Sequence, residues 1–414
     1  MLAIARDTAA ARFWRYWAAG TISSTGSAVT AVALPLVAVV TLRATAVEVG
    51  LVTAAGYVAW LLIGLPAGVW VGRLPLRDTQ IVMDLVRAVA LASLPVAYLL
   101  DALTLPHLVI VALVVSLASV VFDVGGTTFL PSVVPRDQLN DRNSLMSGTH
   151  AVTSLTGPAA GGALVQLLGA APTLLVVTAS YLVSALLLRG LPPGEPRVAG
   201  PVSPLRAQIS EGLAFVWRHP VMRPCLLDAT ATNFVSGGLL TLTPLFLVRT
   251  LGASPGVVGL LFATEGIGAL LGASLCPRLA RRIGTARTAL LGSVLGAGFA
   301  LLMPIGNGVV GSALFGLGNA GFAGGVVLVS VCTRTHRQVA SPPELLARVM
   351  ATVRFVSWGV IPVGALLAGV LAGSATPRTA LWVTCLLASL PAVVLGASRV
   401  RHMRDLLEND LPAV

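Results

Sequence analysis

Long apolar stretches separated by short polar gaps dominate the chain. They fall at about 14–40, 47–71, 79–100, 107–130, 144–168, 171–188, 223–248, 256–277, 286–304, 309–332, 350–372 and 378–397. Each is near or above 18 residues, enough for a helix to cross about 30 Å of hydrocarbon. Backbone groups in lipid must be satisfied within their own segment. The short alternating strands of a membrane barrel are absent, so twelve transmembrane helices and an all-α membrane protein are expected. Prolines and glycines inside spans, as at Gly157-Pro158 and Ile361-Pro362, are tolerated where small residues let helices approach closely.

The polar gaps orient these spans. Alternate gaps carry Arg73, Arg77, Arg136, Arg142, Arg189, Arg278, Arg281, Arg282, Arg334, Arg337 and Arg348, and both chain ends add more; the opposite gaps hold Arg43, Arg249 and Arg378. The positive-inside rule then puts both termini in the cytoplasm, which requires an even number of spans. The longest polar interval separates an N-terminal bundle, residues 1–190, from a C-terminal bundle with a short tail, residues 222–414. Within this 191–221 linker, Leu205, Ile209, Leu213, Phe215 and Val216 share one face of an expected interfacial helix.

The halves echo one another. Val49-Gly50-Leu51 returns as Val258-Gly259-Leu260, Gly64 as Gly272, Pro135 as Pro342 and Pro158 as Pro362, at offsets of about 204–209 residues. Parallel six-span repeats around a mid-membrane site are a transporter architecture.

Composition narrows the chemistry. Hydrophobic residues make up 56% and charged residues 10%, against roughly 25% charged in soluble domains. The net charge is +11 and all 27 basic residues are Arg. Most lie in the gaps between spans or at the chain ends, which suits membrane topology rather than nucleic acid. Without Lys there is no phosphate-loop lysine and no lysine Schiff base. The four cysteines, Cys225, Cys276, Cys332 and Cys385, lack metal or redox spacing and read as small buried hydrophobes. No metal, cofactor or enzymatic activity is expected.

Gly68-Val-Trp-Val-Gly-Arg73-Leu-Pro-Leu-Arg77 resembles the loop between spans two and three that marks the major facilitator superfamily. Its second-half counterpart is Gly272 to Gly284, through Arg278, Arg281 and Arg282. Within the superfamily, Glu211-Gly-Leu-Ala-Phe-Val-Trp-Arg-His-Pro220, Phe129-Leu-Pro-Ser-Val-Val-Pro135 and Pro343-Glu-Leu-Leu-Ala-Arg-Val-Met350 are similar to the macrolide-efflux and enterobactin-exporter branch. The resemblance covers about 13–397 and implies two six-helix halves working by alternating access. It also implies a gating role for Gly68, Arg73 and Arg77, and one for Gly157 and Pro158, which match half of the antiporter motif of span five. Gly72 and Ser27 stand where many relatives carry an acid.

Ionisable groups within spans are functional candidates by default. Glu265 lies near mid-bilayer in span eight; a poorly hydrated site disfavours its charged form, so it is a candidate to exchange a proton for a cationic substrate. Asp123 and the Asp84/Arg87 pair lie at similar depths and are expected to form an ion-pair network that serves as an inner gate. Asp228 and Asn233 open span seven beside Thr230, Thr232 and Ser236, either as a pocket wall or as interhelical hydrogen-bonding groups. Taken with what the resemblance implies, these residues suggest a proton-coupled exporter of a small hydrophobic or amphipathic molecule (a drug, macrolide or siderophore-like natural product), expected as a monomer in a bacterial inner membrane. Uptake of a metabolite, and a transport-inactive sensor or scaffold, are the alternatives.

Overall fold

Apolar segments of this length fold as helices because only an internally bonded backbone survives in lipid. The computed structural model describes residues 2–64, 66–71, 74–134, 138–192 and 205–407, and among them there are helices and no strands. The chain begins with α1 (Leu2–Leu36), α2 (Ala46–Ile63), α3 (Pro66–Val71), α4 (Leu76–Leu99), α5 (Leu105–Val133), α6 (Leu139–Leu168) and α7 (Ala170–Arg189). After the mid-chain interval come α8 (Leu205–Arg218), α9 (Met222–Leu245), α10 (Pro255–Ile283), α11 (Thr285–Ala300) and α12 (Gly308–Ala340). The last four are α13 (Pro343–Gly359), α14 (Ile361–Ser374), α15 (Pro377–Leu387) and α16 (Ser389–Gly396).

Among the described residues, 11 segments are long and apolar enough to span a membrane, with α13 and α14 sharing one segment and α15 and α16 another. The twelfth expected span is α11, whose helix has only 16 residues. At about 1.5 Å per residue that is roughly 24 Å. Its continuation tightens into three-residue turns, with Leu302 N donating to Phe299 O and Met303 N to Ala300 O.

The chain divides into two compact units, Met1–Ala44 with Ala55–Val202, and Thr45–Ala54 with Ser203–Val414. This differs from a simple division around residues 190 and 222, because the first part of α2 belongs to the second unit. There Gly50 lies so close to α14 that a Cβ would stand 2.9 Å from the Ala365 carbonyl.

Small residues set the spacing within each unit. In the first, α6 lies on α1, where Gly157 faces Ala28 and a Cβ on Gly161 would come 3.2 Å from the backbone of Val29. In the second, α10 meets α12 with Gly268 against the Ala320 backbone and Gly272 against Gly324. Dispersion and close packing are what remains to join helices when lipid is as apolar as the helix surface.

Two features recur between the units that sequence comparison of the halves had not paired. Pro35 in α1 and Pro244 in α9 stand 209 positions apart, and each precedes a widened π-helical turn, Val37–Thr41 and Phe246–Thr250. Leu42 N donates to Val37 O at 2.9 Å and Leu251 N to Phe246 O at 3.0 Å. Proline removes a helical donor and disturbs the turn around it, and a π turn accommodates the extra residue. Each unit also folds its end back onto its own third span. Arg77 at the start of α4 donates to Leu191 O at 3.0 Å. Asp405 accepts from Thr285 N at 2.9 Å, while Leu406 N donates to Thr285 Oγ1 at 2.9 Å, a reciprocal cap on α11.

Gly268→Ala is expected to lower stability by about 1–3 kcal/mol, because the methyl group meets backbone that cannot move independently. Gly56→Ala, where a Cβ meets nothing within 4 Å, should leave the melting temperature in detergent unchanged or higher. Equal effects at the two positions would contradict the packing described.

Candidate transport site

Asp84 and Arg87 lie one turn apart on α4, a spacing that puts both side chains on the same face. They form an ion pair at 0% and 1% exposure. Ser23 of α1 closes the pair: its Oγ donates to Asp84 at 3.2 Å and accepts from Arg87 Nη2 at 3.1 Å. The guanidinium lies between two aromatic rings, 4.2 Å from the centroid of Phe122 on α5 and 4.3 Å from that of Tyr181 on α7. The Tyr181 hydroxyl in turn meets Ser27 Oγ at 3.0 Å. A buried cation therefore receives an anion, a hydroxyl and two π faces from four helices.

Asp123 does not take the place beside this pair that its depth suggested. It is exposed, and its neighbour Phe122 supplies the contact to Arg87 instead. One residue is about 100° around a helix, so matching depth does not bring matching direction. Arg77 pairs with Asp78 at 2.7 Å in addition to holding Leu191. Gly68 lies in the short helix α3, and Arg73 lies outside the described residues. Pro158 sits inside α6 beside Gly157, which makes the contact to α1 already described.

In the second unit Asp228 of α9 is buried at 2% exposure and accepts from Ser293 Oγ of α11 at 2.9 Å. Ser293 is 209 positions after Asp84, so the serine–aspartate bond between the first and third spans recurs with its two ends exchanged. Arg337 of α12 is buried and interacts electrostatically with Asp228 without forming an ion pair with it. Asn233 is turned to its own helix, its Nδ2 donating to Ala229 O at 2.9 Å.

Glu265 is exposed on α10 and makes no hydrogen bond or ion pair among the described residues. Leu260, Ile267, Leu271 and Leu275 form an exposed aliphatic strip along that helix. At about 100° per residue, Glu265 points some 140° away from Leu260. It is therefore not directed to the side suited to lipid tails. Asn319 of α12, which the sequence reading did not single out, donates to Leu261 O and to Thr264 Oγ1, each at 3.2 Å, on the turn next to Glu265. An amide within a glycine-rich span was the available signal.

The sequence profile of a family described as transmembrane secretion effectors matches residues 8–411. A multidrug efflux pump, Tap, of Mycolicibacterium fortuitum is 28% identical over 390 residues, covering 91% of both chains. The Mycobacterium tuberculosis pump of the same name is 26% identical, covering 93% of this chain and 92% of its own. Among solved structures, a nucleoside transporter superposes with TM-score 0.77 at 12% identity, covering 93% of this chain and 99% of that one. A bacterial homologue of the lysosomal transporter Spinster gives 0.71 at 15% identity, covering 99% of each. At these identities the solved structures establish the fold.

Asp84→Leu leaves Arg87 buried without its anion and is expected to cost about 3–5 kcal/mol. Asp84→Leu with Arg87→Met should regain most of that loss, read as thermal unfolding in detergent. Equal destabilisation by the single and double changes would show that the pair is not what the site requires.

Proposed function

Because the chain belongs to the transmembrane secretion effector family of the major facilitator superfamily, a family of transporters and not of enzymes, we propose that it exports a small hydrophobic or amphipathic compound in exchange for protons. The observation that carries this reading is Glu265, an acid with no hydrogen bond or ion pair among the described residues, away from the aliphatic strip of its helix. A carboxylate in a membrane span is costly unless it has a task. Proton binding and the binding of a cationic substrate are alternatives at one such group, and that competition is the physical basis of exchange. The pumps named Tap support the outward direction, and the few fixed charges within the spans suit an apolar cargo.

The setting we infer is a bacterial cell membrane with both termini cytoplasmic, from the arginine asymmetry of the gaps. Residues 1–190 and 222–414 would act as the two moving halves, with 191–221 as their tether. Reporter fusions at residue 1 and at residue 414 should then give the same cytoplasmic signal, and a periplasmic signal from either would overturn the orientation.

Glu265→Gln keeps size and hydrogen bonding but cannot titrate. In vesicles with an imposed pH gradient, this variant is expected to insert normally and to lose gradient-driven efflux, at least about tenfold. Exchange of substrate without a gradient should persist. Wild-type gradient-driven transport in Glu265→Gln would move the coupling role to another acid.

A further inference from the structure

Two of the sequence motifs that carry the family resemblance are brought together by the structure, and they leave one surface over. The helix α8 lies against the start of α13. Glu211 pairs with Arg348, and a Cβ on Gly212 would come 2.9 Å from the Arg348 carbonyl. Val216 is buried with Met222, Leu226, Val349 and Val353, and Phe215 packs on that cluster. The motif from Glu211 to Pro220 is thus docked on the motif from Pro343 to Met350. His219 completes the joint by accepting from Val221 N and Met222 N at 3.2 Å each, which caps α9.

The adjacent stripe of α8 has another character. Leu213 and Trp217, one turn apart, are 37% and 47% exposed. Arg218 and Arg223 are exposed, and the Arg223 guanidinium lies 4.7 Å from the centroid of the Trp217 ring. No carboxylate among the described residues pairs with either arginine; Glu211 is taken by Arg348. The stripe runs from α8 into the first turn of the span Met222–Thr250, which carries Arg223, so Trp217 stands where a membrane helix emerges into the headgroup layer. Tryptophan favours that layer, and guanidinium groups bind phosphate through paired N–H donors.

We propose that Leu213, Trp217, Arg218 and Arg223 form a docking surface for an anionic phospholipid headgroup, the phosphodiester taken by the two arginines and the acyl chain beginning along Leu213 and the indole. The site rests on the membrane-spanning fold and is independent of the direction and energy source of transport. Each cation close to an anionic leaflet favours binding about fivefold, so the pair gives a preference of more than tenfold for an anionic over a zwitterionic lipid.

The test is native mass spectrometry of the purified full chain titrated with phosphatidylglycerol and, separately, phosphatidylcholine. The wild-type chain is expected to retain phosphatidylglycerol preferentially. The R218Q/R223Q double variant should lose that preference by about tenfold, and Trp217→Ala should weaken it. Arg334→Gln, which removes an exposed arginine elsewhere in the chain, should keep it. These exposed changes leave the contacts of α8 with α13 in place, and an unchanged melting temperature checks this. Undiminished phosphatidylglycerol retention in R218Q/R223Q would overturn the assignment, as would equal retention of both lipids by the wild-type chain. Dimers that dissociate on Trp217→Ala would give the surface to a second copy of the chain instead.

Discussion

Hydrocarbon supplies neither hydrogen bonds nor counter-ions, so a polar atom that enters it has to bring a partner along. Backbone groups meet this by coiling into helices. Hydroxyls within the spans meet it by bonding the carbonyl one turn back, as Thr30 does to Gly26 and Thr178 to Leu174, or a carbonyl of a neighbouring helix, as Thr241 does to Ala365. The strictest case is the guanidinium of Arg87, which draws its contacts from four helices. That requirement makes the Asp84, Ser23, Phe122 and Tyr181 contacts a single unit, since loss of the anion alone leaves a charge with no medium to accept it. Glu265, which has no hydrogen bond or ion pair among the described residues, stands apart under the same rule, and that is the physical ground on which the coupling role is proposed for it.

Lipid also weakens the drive that joins helices in water, and the chain answers with small side chains at the seams. The contacts of Gly268 with Ala320 and Gly272 with Gly324 bring backbones together, gaining dispersion that larger residues would prevent. Two of the internal prolines use the opposite device. Pro35 and Pro244 interrupt their helices near one end, and a widened turn restores bonding beyond the interruption. Both units therefore have tightly packed seams and one locally rewound span, an arrangement that places rigidity and bending at different positions of the same bundle.

Much of this was legible before any coordinates. Apolar length and the need to satisfy the backbone determine helices almost without reference to tertiary structure, so the spans could be read directly; α11 was the exception because Pro304 and its neighbours end the helix early. The Asp84/Arg87 pairing followed from i, i+3 spacing within a single helix. Direction around a helix was harder. Asp123 has a suitable depth yet points elsewhere, and Asn233 turns to its own backbone. The aromatic faces around Arg87 and the bond from Ser293 to Asp228 join positions more than 30 residues apart, beyond what local spacing can reveal. Pro35 and Pro244 were within reach, since they share the offset of Val49 and Val258; the repeat had been traced through other positions, Pro135 with Pro342 and Pro158 with Pro362 among them.

The cap between Thr285 and Asp405 bridges 120 positions, and its two ends are made at very different times. A ribosome synthesises α11 well before the residue that closes its first turn. Until Asp405 emerges, the amides at the start of α11 have only water or headgroups to bond. The second half can thus reach its final form only late in biogenesis, after all of its spans have been delivered to the membrane. The segment around Asp405 is then less a trailing end than the fastening that completes assembly.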